Sequence, residues 1–249
     1  MTEDITGDNT LSKNEIKNFI LRVDLINNDQ LDIAKIAETM SEYFDRTEKK
    51  QINKFSINFT KGSSELTKGD TFDYVLVSEE KSISMTFSET QCAFWLESNQ
   101  YKDNSLYKGI MSKVVNVVDS LCGEAKSRRI GLRYVNQFKC KTKRNIGKIY
   151  GKRLSSVVRA MLSGEDLQSR VIGMEEYNDD GFKIRFQYGI PNKFYPSVIG
   201  VFDLLLDIDS FIESESGASE WEGIITSLNH AAYGKFVKEI NPKYIEVLN

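Results

Sequence analysis

The chain has 249 residues, 40% of them hydrophobic and 11% aromatic, which is enough apolar side chain to fill a core and too much for a disordered protein. Its 33 Lys and Arg against 36 Asp and Glu give a formal net charge of -3, which excludes a uniformly cationic nucleic-acid coat protein. Three cysteines and one histidine fit no CxxC or Cys/His ligand spacing, so Cys92, Cys122 and Cys140 are expected to be reduced structural thiols, with no metal site and no cofactor.

The N-terminal MTEDITGDNTLSK lacks the basic and apolar regions of a secretory signal, and residues 1–15 read as the disordered tail of a cytoplasmic protein. KNFILRVDLI alternates Phe19, Leu21, Val23 and Leu25 with polar residues, as a half-buried strand does. After an Asn27-Asn28-Asp29 turn, Ile33, Ile36, Ala37, Met40 and Phe44 recur at helical spacing behind Asp32, a residue suited to capping the first turn. Strands follow in KFSINFT, with Phe55, Ile57 and Phe59 on one face, in FDYVLVS and SISMTFS about a Glu79-Glu80-Lys81 turn, and in QCAFWLE. Such short turns imply antiparallel pairing. Ile110, Met111, Val114, Val117, Val118 and Leu121 then make one face of a second helix that Gly123 stops, and RRIGLRYVNQF, residues 128–138, is the next strand.

A similar order continues with a helix in SSVVRAML and strands in SRVIGMEEY, FKIRFQYGI and VIGVFDLLLDID, the first two joined by an NDDG turn. A long helix follows, expected to open with a capping box of Ser219 and Glu222 and to carry Trp221, Ile224, Ile225, Leu228, Ala232 and Phe236. Pro242 is expected to end it, and KYIEVL reads as a closing strand. The expected fold is α+β, with antiparallel sheets, helices on one face and two similar lobes, 16–138 and 154–249, joined by a basic connector at 139–153. A helix, three strands, a helix and a strand would then occur twice, at roughly 31–138 and 154–248. No membrane span is expected, because SVIGVFDLLLDIDSF is interrupted by Asp203, Asp207 and Asp209.

Charge is unevenly placed. Lys126–Arg159 holds 12 of the 33 basic residues and no acidic one, which leaves 21 basic residues against all 36 acidic ones elsewhere. Its densest part, KCKTKRNIGKIYGKR, offers Lys139, Lys141, Lys143, Arg144, Lys148, Lys152 and Arg153 for phosphates, with Tyr150 placed to stack a base. The competing reading is an exposed linker that docks on acidic surface of this chain or of a partner.

Asp203, Asp207 and Asp209 are evenly spaced and therefore share a face of one strand. Asp207 and Asp209 are close enough to hold Mg²⁺ or Mn²⁺ in a nuclease, whereas Asp203 stands about 20 Å from Asp209 in an extended strand. The bland alternative is a solvated or salt-bridged sheet face. His230, in SLNHAAYGKF, has no nucleophile or carboxylate at fixed spacing and reads as a packed or surface residue. No Walker loop, GxSxG elbow, HExxH or glycine fingerprint occurs, which moves weight from an enzyme toward a binding module.

In RRIGLRYVNQF, Ile130, Leu132, Tyr134, Asn136 and Phe138 point one way and Gly131, Arg133, Val135 and Gln137 the other. Arg133 thus needs a carboxylate, with Asp207 or Asp209 the chemical candidates for a structural ion pair, and Asn136 needs backbone groups. The Gly-Leu-Arg-Tyr-Val-Asn run resembles the signature of an uncharacterised, sporadically distributed bacterial protein family of about this length. The family is similar in an aromatic strand before the middle helix, here CAFWLE, in a later Asp-containing strand, here LLLDID, and in an ending like LNHAAYGKFVKEI. Its patchy distribution implies a place in phage-defence or mobile-element loci, and it brings no catalytic residue. The expected role is a non-catalytic binding or assembly component of such an operon. Its partners would be a protein of the same operon, RNA or DNA, with a homodimer left open. The alternative is a metal-dependent nuclease or nucleotide-processing enzyme using Asp207 and Asp209.

Overall fold

A computed structural model describes residues 15–26, 32–60, 63–89, 91–99, 101, 104–122, 125–163, 168–179 and 181–248; the side chains of 53–60, 63–70, 104–105, 122 and 179 lie outside that description. In chain order, β1 (Ile16–Leu25) and α1 (Ile33–Met40) precede a long hairpin of β2 (Arg46–Thr60) and β3 (Ser63–Ser78). β4 (Ile83–Ser88), β5 (Ala93–Ser98), α2 (Asn104–Cys122) and β6 (Lys126–Phe138) complete the first half. The second half comprises α3 (Ile146–Ile149), α4 (Lys152–Met161), β7 (Val171–Asp179), β8 (Phe182–Ile190), β9 (Leu204–Ile212), the two-residue β10 (Ser216–Gly217), α5 (Trp221–Glu239) and α6 (Pro242–Leu248).

The strands form one antiparallel sheet in the order β2-β3-β4-β5-β1-β6-β9-β8-β7, with β10 added beside β6. The fold is α+β. The expected lobes are joined within the sheet, where β6 pairs with β9 from Ile130 opposite Ile212 to Phe138 opposite Leu204, and one hydrophobic cluster spans both halves. Four strands, not three, separate α1 from α2, and β7, β8, β9 and the two-residue β10 separate α4 from α5; the strand β6 follows α2 but the helix α6 follows α5, so the two halves are not copies of one pattern.

Alternation along each strand sorts the sheet into two faces. Phe19, Leu21 and Val23 of β1, Phe94 and Leu96 of β5, Ile130 and Leu132 of β6, and Leu206 and Ile208 of β9 are buried on the face that carries the helices. Each such side chain stabilises the fold by about 2 kcal/mol relative to exposure. α2 brings Tyr107 within 4.4 Å of Phe19, and α5 brings Trp221 within 5.8 Å of Phe94. Asn229 of α5 accepts a 2.6 Å hydrogen bond from the buried Tyr134 hydroxyl, and Ser210 donates to the Leu228 carbonyl at 3.0 Å. Buried polar groups thus fix α5 over β6 and β9.

Several expectations hold and several are corrected. Asp32 caps α1 by accepting from the Lys35 amide at 3.0 Å, and β7 and β8 form the expected hairpin. The connector at 139–153 is folded, with a 3-10 turn at Lys143–Asn145, then α3 and the start of α4. Ile146 and Ile149 of α3 are buried there, as is Tyr150, which is extended just past the helix and bridges to Ile240. KYIEVL is helical, not a strand: Asn241 accepts from the Lys243 amide at 3.0 Å, and Pro242 takes the first helical position, where its missing N–H costs nothing. The Ser219–Glu222 box does not form, because Trp221 is fully buried with Nε1 on the Ser216 carbonyl, and Glu220 accepts from the Gly217 amide instead. The Asn27-Asn28-Asp29 turn, the Gly123 stop, the tail at 1–14 and the side chains of Phe55, Ile57 and Phe59 lie outside the description.

Candidate functional site

Strand β6 explains the motif it carries residue by residue. Leu132 and Tyr134 enter the core, and Asn136, 3% exposed on the same face, donates to the Leu206 carbonyl at 3.0 Å. Arg133 lies on the other face and grips Asp207 through Nε at 2.9 Å and Nη2 at 2.6 Å. That hydrogen bond, with burial working against it, holds the guanidinium pKa above its ordinary value. Gly131 leaves room for its neighbour: a Cβ there would sit 3.2 Å from Nη2 of Arg129, whose guanidinium reaches past it to Asp209 at 3.5 Å. Arg133 and Asn136 serve opposite faces and share no chemistry.

The face turned away from the helices is laid out in charged rows. Glu97, Ile20, Arg133, Asp209, Arg185 and Glu176 stand side by side across six strands. Phe211 on this face is 2% exposed, with Arg129 at 4.6 Å and Arg185 at 5.5 Å from its ring, so cationic stems rather than a helix cover it. Arg22, Trp95, Glu97, Arg129, Arg133 and Gln91 line a shallow depression of about 350 Å³ over Gly131. Sequence reasoning missed Trp95 and Arg22, although both fall at the solvent-facing positions of alternating strands.

Asp207 and Asp209 share this face, but Asp203 lies before β9, in a separate hollow with Gln137 and Lys193. Arg133 occupies both carboxylate oxygens of Asp207, and Arg129 and Arg133 flank Asp209. This donor set repels a divalent cation rather than gathering one. Among the described residues, no group of three or more His, Cys, Asp or Glu is placed to hold a metal ion.

The basic segment separates into two parts. Tyr150 is fully buried; its hydroxyl donates to the Leu205 carbonyl, accepts from the Gly189 amide at 3.2 Å, and has its pKa pushed far up by burial. It cannot stack on a base, which corrects the sequence expectation. Arg153 is also spent internally, bonding Glu239 at 2.8 Å and Glu175 at 2.8 Å. Burial opposes its charge, yet those two carboxylates outweigh burial and hold its pKa up. Glu239, 2% exposed, also accepts from Lys235 at 2.6 Å, and Lys235 lies 4.1 Å from the Phe186 ring. This buried ion network ties α4, α5 and β7 together. Lys235 and Glu239 continue the Leu228, Ala232, Phe236 stripe of α5, a periodicity that by itself places them on the buried face of the helix.

Lys139, Lys141, Lys143, Arg144, Lys148 and Lys152 remain exposed. Lys143 donates to the Leu162 carbonyl, and among the described residues none of the six forms a salt bridge, unlike Arg153. Arg159 of α4 joins them, donating to the Arg144 carbonyl at 3.1 Å. His230 is exposed on α5, beside Lys235 and Lys238. Cys140 is buried and Cys92 half-buried, and burial raises the pKa of both thiols, so neither is an activated nucleophile.

Among the described residues no helix is long and apolar enough to cross a membrane. No protein-family model and no curated protein matches the sequence.

Proposed function

We propose that the protein is a non-catalytic binding component, of the phage-defence or mobile-element kind that its Gly-Leu-Arg-Tyr-Val-Asn strand suggests, and that it grips nucleic acid by the phosphate backbone. One observation carries this reading. Six cations of the 139–152 segment are exposed and form no salt bridge among the described residues, in a chain that holds 21 basic against 36 acidic residues outside Lys126–Arg159. Had the segment been a linker docked on its own chain, those cations would sit on carboxylates, as Arg153 does. Surface cations in this density attract a polyanion and release its counterions.

With Tyr150 buried, the segment offers phosphate contacts and no stacking platform, so binding is indifferent to base sequence. Purification from the native host with and without nuclease treatment tests the proposal. Nucleic acid co-purifying with the protein and released by nuclease supports it; an acidic protein that stays bound after nuclease treatment, with no nucleic acid present, overturns it in favour of a protein partner.

A further inference from the structure

The two edges of the sheet differ in a way that points to self-association. An unpaired edge strand offers free backbone groups to any other strand, and edges are ordinarily guarded by charge. β2 is guarded: Arg46, Glu48, Lys49 and Lys50 follow one another along it. β7 is not. Ile172 and Met174 are 37% and 63% exposed on it, and the neighbouring loop adds Phe194, Tyr195 and Val198. These are five of the nine large apolar side chains exposed among the described residues, which places the apolar surface at this edge.

The loop is built to hold that surface outward. Asn192, 5% exposed, has a left-handed backbone φ of 51°. Its amide donates to the Ser169 and Ser197 carbonyls at 2.8 and 2.7 Å, while its Oδ1 accepts from the Phe194 amide at 3.2 Å. Ile199 donates to the Gln168 carbonyl at 2.9 Å, and Arg170 lies 4.3 Å from the Tyr195 ring. A fully bonded buried Asn thus fixes two exposed aromatics beside the start of β7.

The pattern along the edge is complementary to itself. Arg170, Ile172, Met174 and Glu176 alternate along the chain and share one face. Laid antiparallel on a second copy about Gly173, Arg170 meets Glu176, Ile172 meets Met174, and Val171 meets Glu175. No two like charges are opposed, and a two-fold axis makes every contact twice. We propose that β7 pairs with β7 of a second copy of this chain, extending the sheet across a two-fold axis at Gly173, with Phe194 and Tyr195 packing at the rim.

Sedimentation velocity over a dilution series tests this. The expected species has twice the 28.5 kDa mass of the chain. Met174→Lys should weaken the dimer by roughly a hundredfold, because the loss counts twice, while Met161→Lys, at another exposed apolar position, leaves it intact. Arg170→Glu and Glu176→Arg should each weaken it, and the two together should restore it. A wild-type monomer at every concentration, a dimer indifferent to Met174→Lys, or a charge swap without rescue would overturn the pairing; circular dichroism separates each from misfolding.

Discussion

Arg133 and Asp207 are not opposite each other in the sheet, yet they form its best-made ion pair. The register sets Arg133 opposite Asp209 and Asp207 opposite Val135, and the guanidinium crosses diagonally to take both oxygens of Asp207 at 2.9 and 2.6 Å. Asp209 keeps the longer contact, 3.5 Å from Arg129. Two aspartates separated by one residue therefore have opposite energetic roles: Asp207, 7% exposed in its side chain, is compensated, and Asp209, at 18%, is only partly so.

Arg133→Met should destabilise the protein by about 2 kcal/mol, less than a fully buried pair because Arg133 is half-exposed. The cost comes from stranding the Asp207 carboxylate, so Arg133→Met combined with Asp207→Asn should recover most of it. Urea unfolding midpoints measure both. Nucleic-acid affinity should be unchanged in either variant, since the proposed contacts lie elsewhere.

Asp209→Asn should stabilise the protein at neutral pH, by a few tenths up to about 1 kcal/mol. Burial pushes the Asp209 pKa up, and Arg129, Arg133 and Arg185 offset it only in part. A carboxyl whose folded pKa exceeds its unfolded one makes stability fall as pH rises between the two values, and that cost stands in full at neutral pH. The gain from Asn should shrink as the pH falls into and below the ordinary carboxylate range, where the wild-type carboxyl takes up its proton. Urea titrations at neutral pH and at a series of acidic pH values read the difference.

The buried network beneath α5 should respond unequally to loss of either partner. Glu239→Gln leaves the Lys235 ammonium, 7% exposed, without its carboxylate and should cost about 3 kcal/mol. Lys235→Met removes that charge, fills similar volume against Phe186, and leaves Glu239 bonded to Arg153, so it should cost under about 1 kcal/mol. Thermal unfolding of the two variants side by side settles the order.

Tyr150→Phe should lower stability by about 1 to 2 kcal/mol, because the Leu205 carbonyl and Gly189 amide both lose a buried partner. Nucleic-acid binding should not change. A variant that folds as well as wild type but binds less tightly would place the ring back among the ligand contacts.

What was legible in the sequence follows from the range of the interaction. Phe19, Leu21 and Val23 announce β1 through alternation, and Ile110, Val114 and Val118 announce α2 through helical spacing; both depend on near neighbours. Which aspartate holds Arg133 depends on a register set across 74 residues of chain, and no local pattern encodes it. Tyr150 was misplaced for another reason. Its neighbours in sequence are polar, but it is extended past α3, bridges to Ile240, and sends its hydroxyl to Leu205 and Gly189, partners far along the chain. In KYIEVL the branched Ile245 and Val247 suggested a strand, whereas Asn241 and Pro242 form a helix start that overrides so short a preference.

Phosphate-backbone binding by the basic segment is tested most directly by salt dependence. Affinity for a short DNA duplex should fall with salt along a log–log slope of about -5, the value for six phosphates neutralised. Changing Lys139, Lys141, Lys148 and Lys152 together to Gln should lower the magnitude of that slope by about 4. A slope near zero in the wild-type protein, or one left unchanged by the four substitutions, would contradict it.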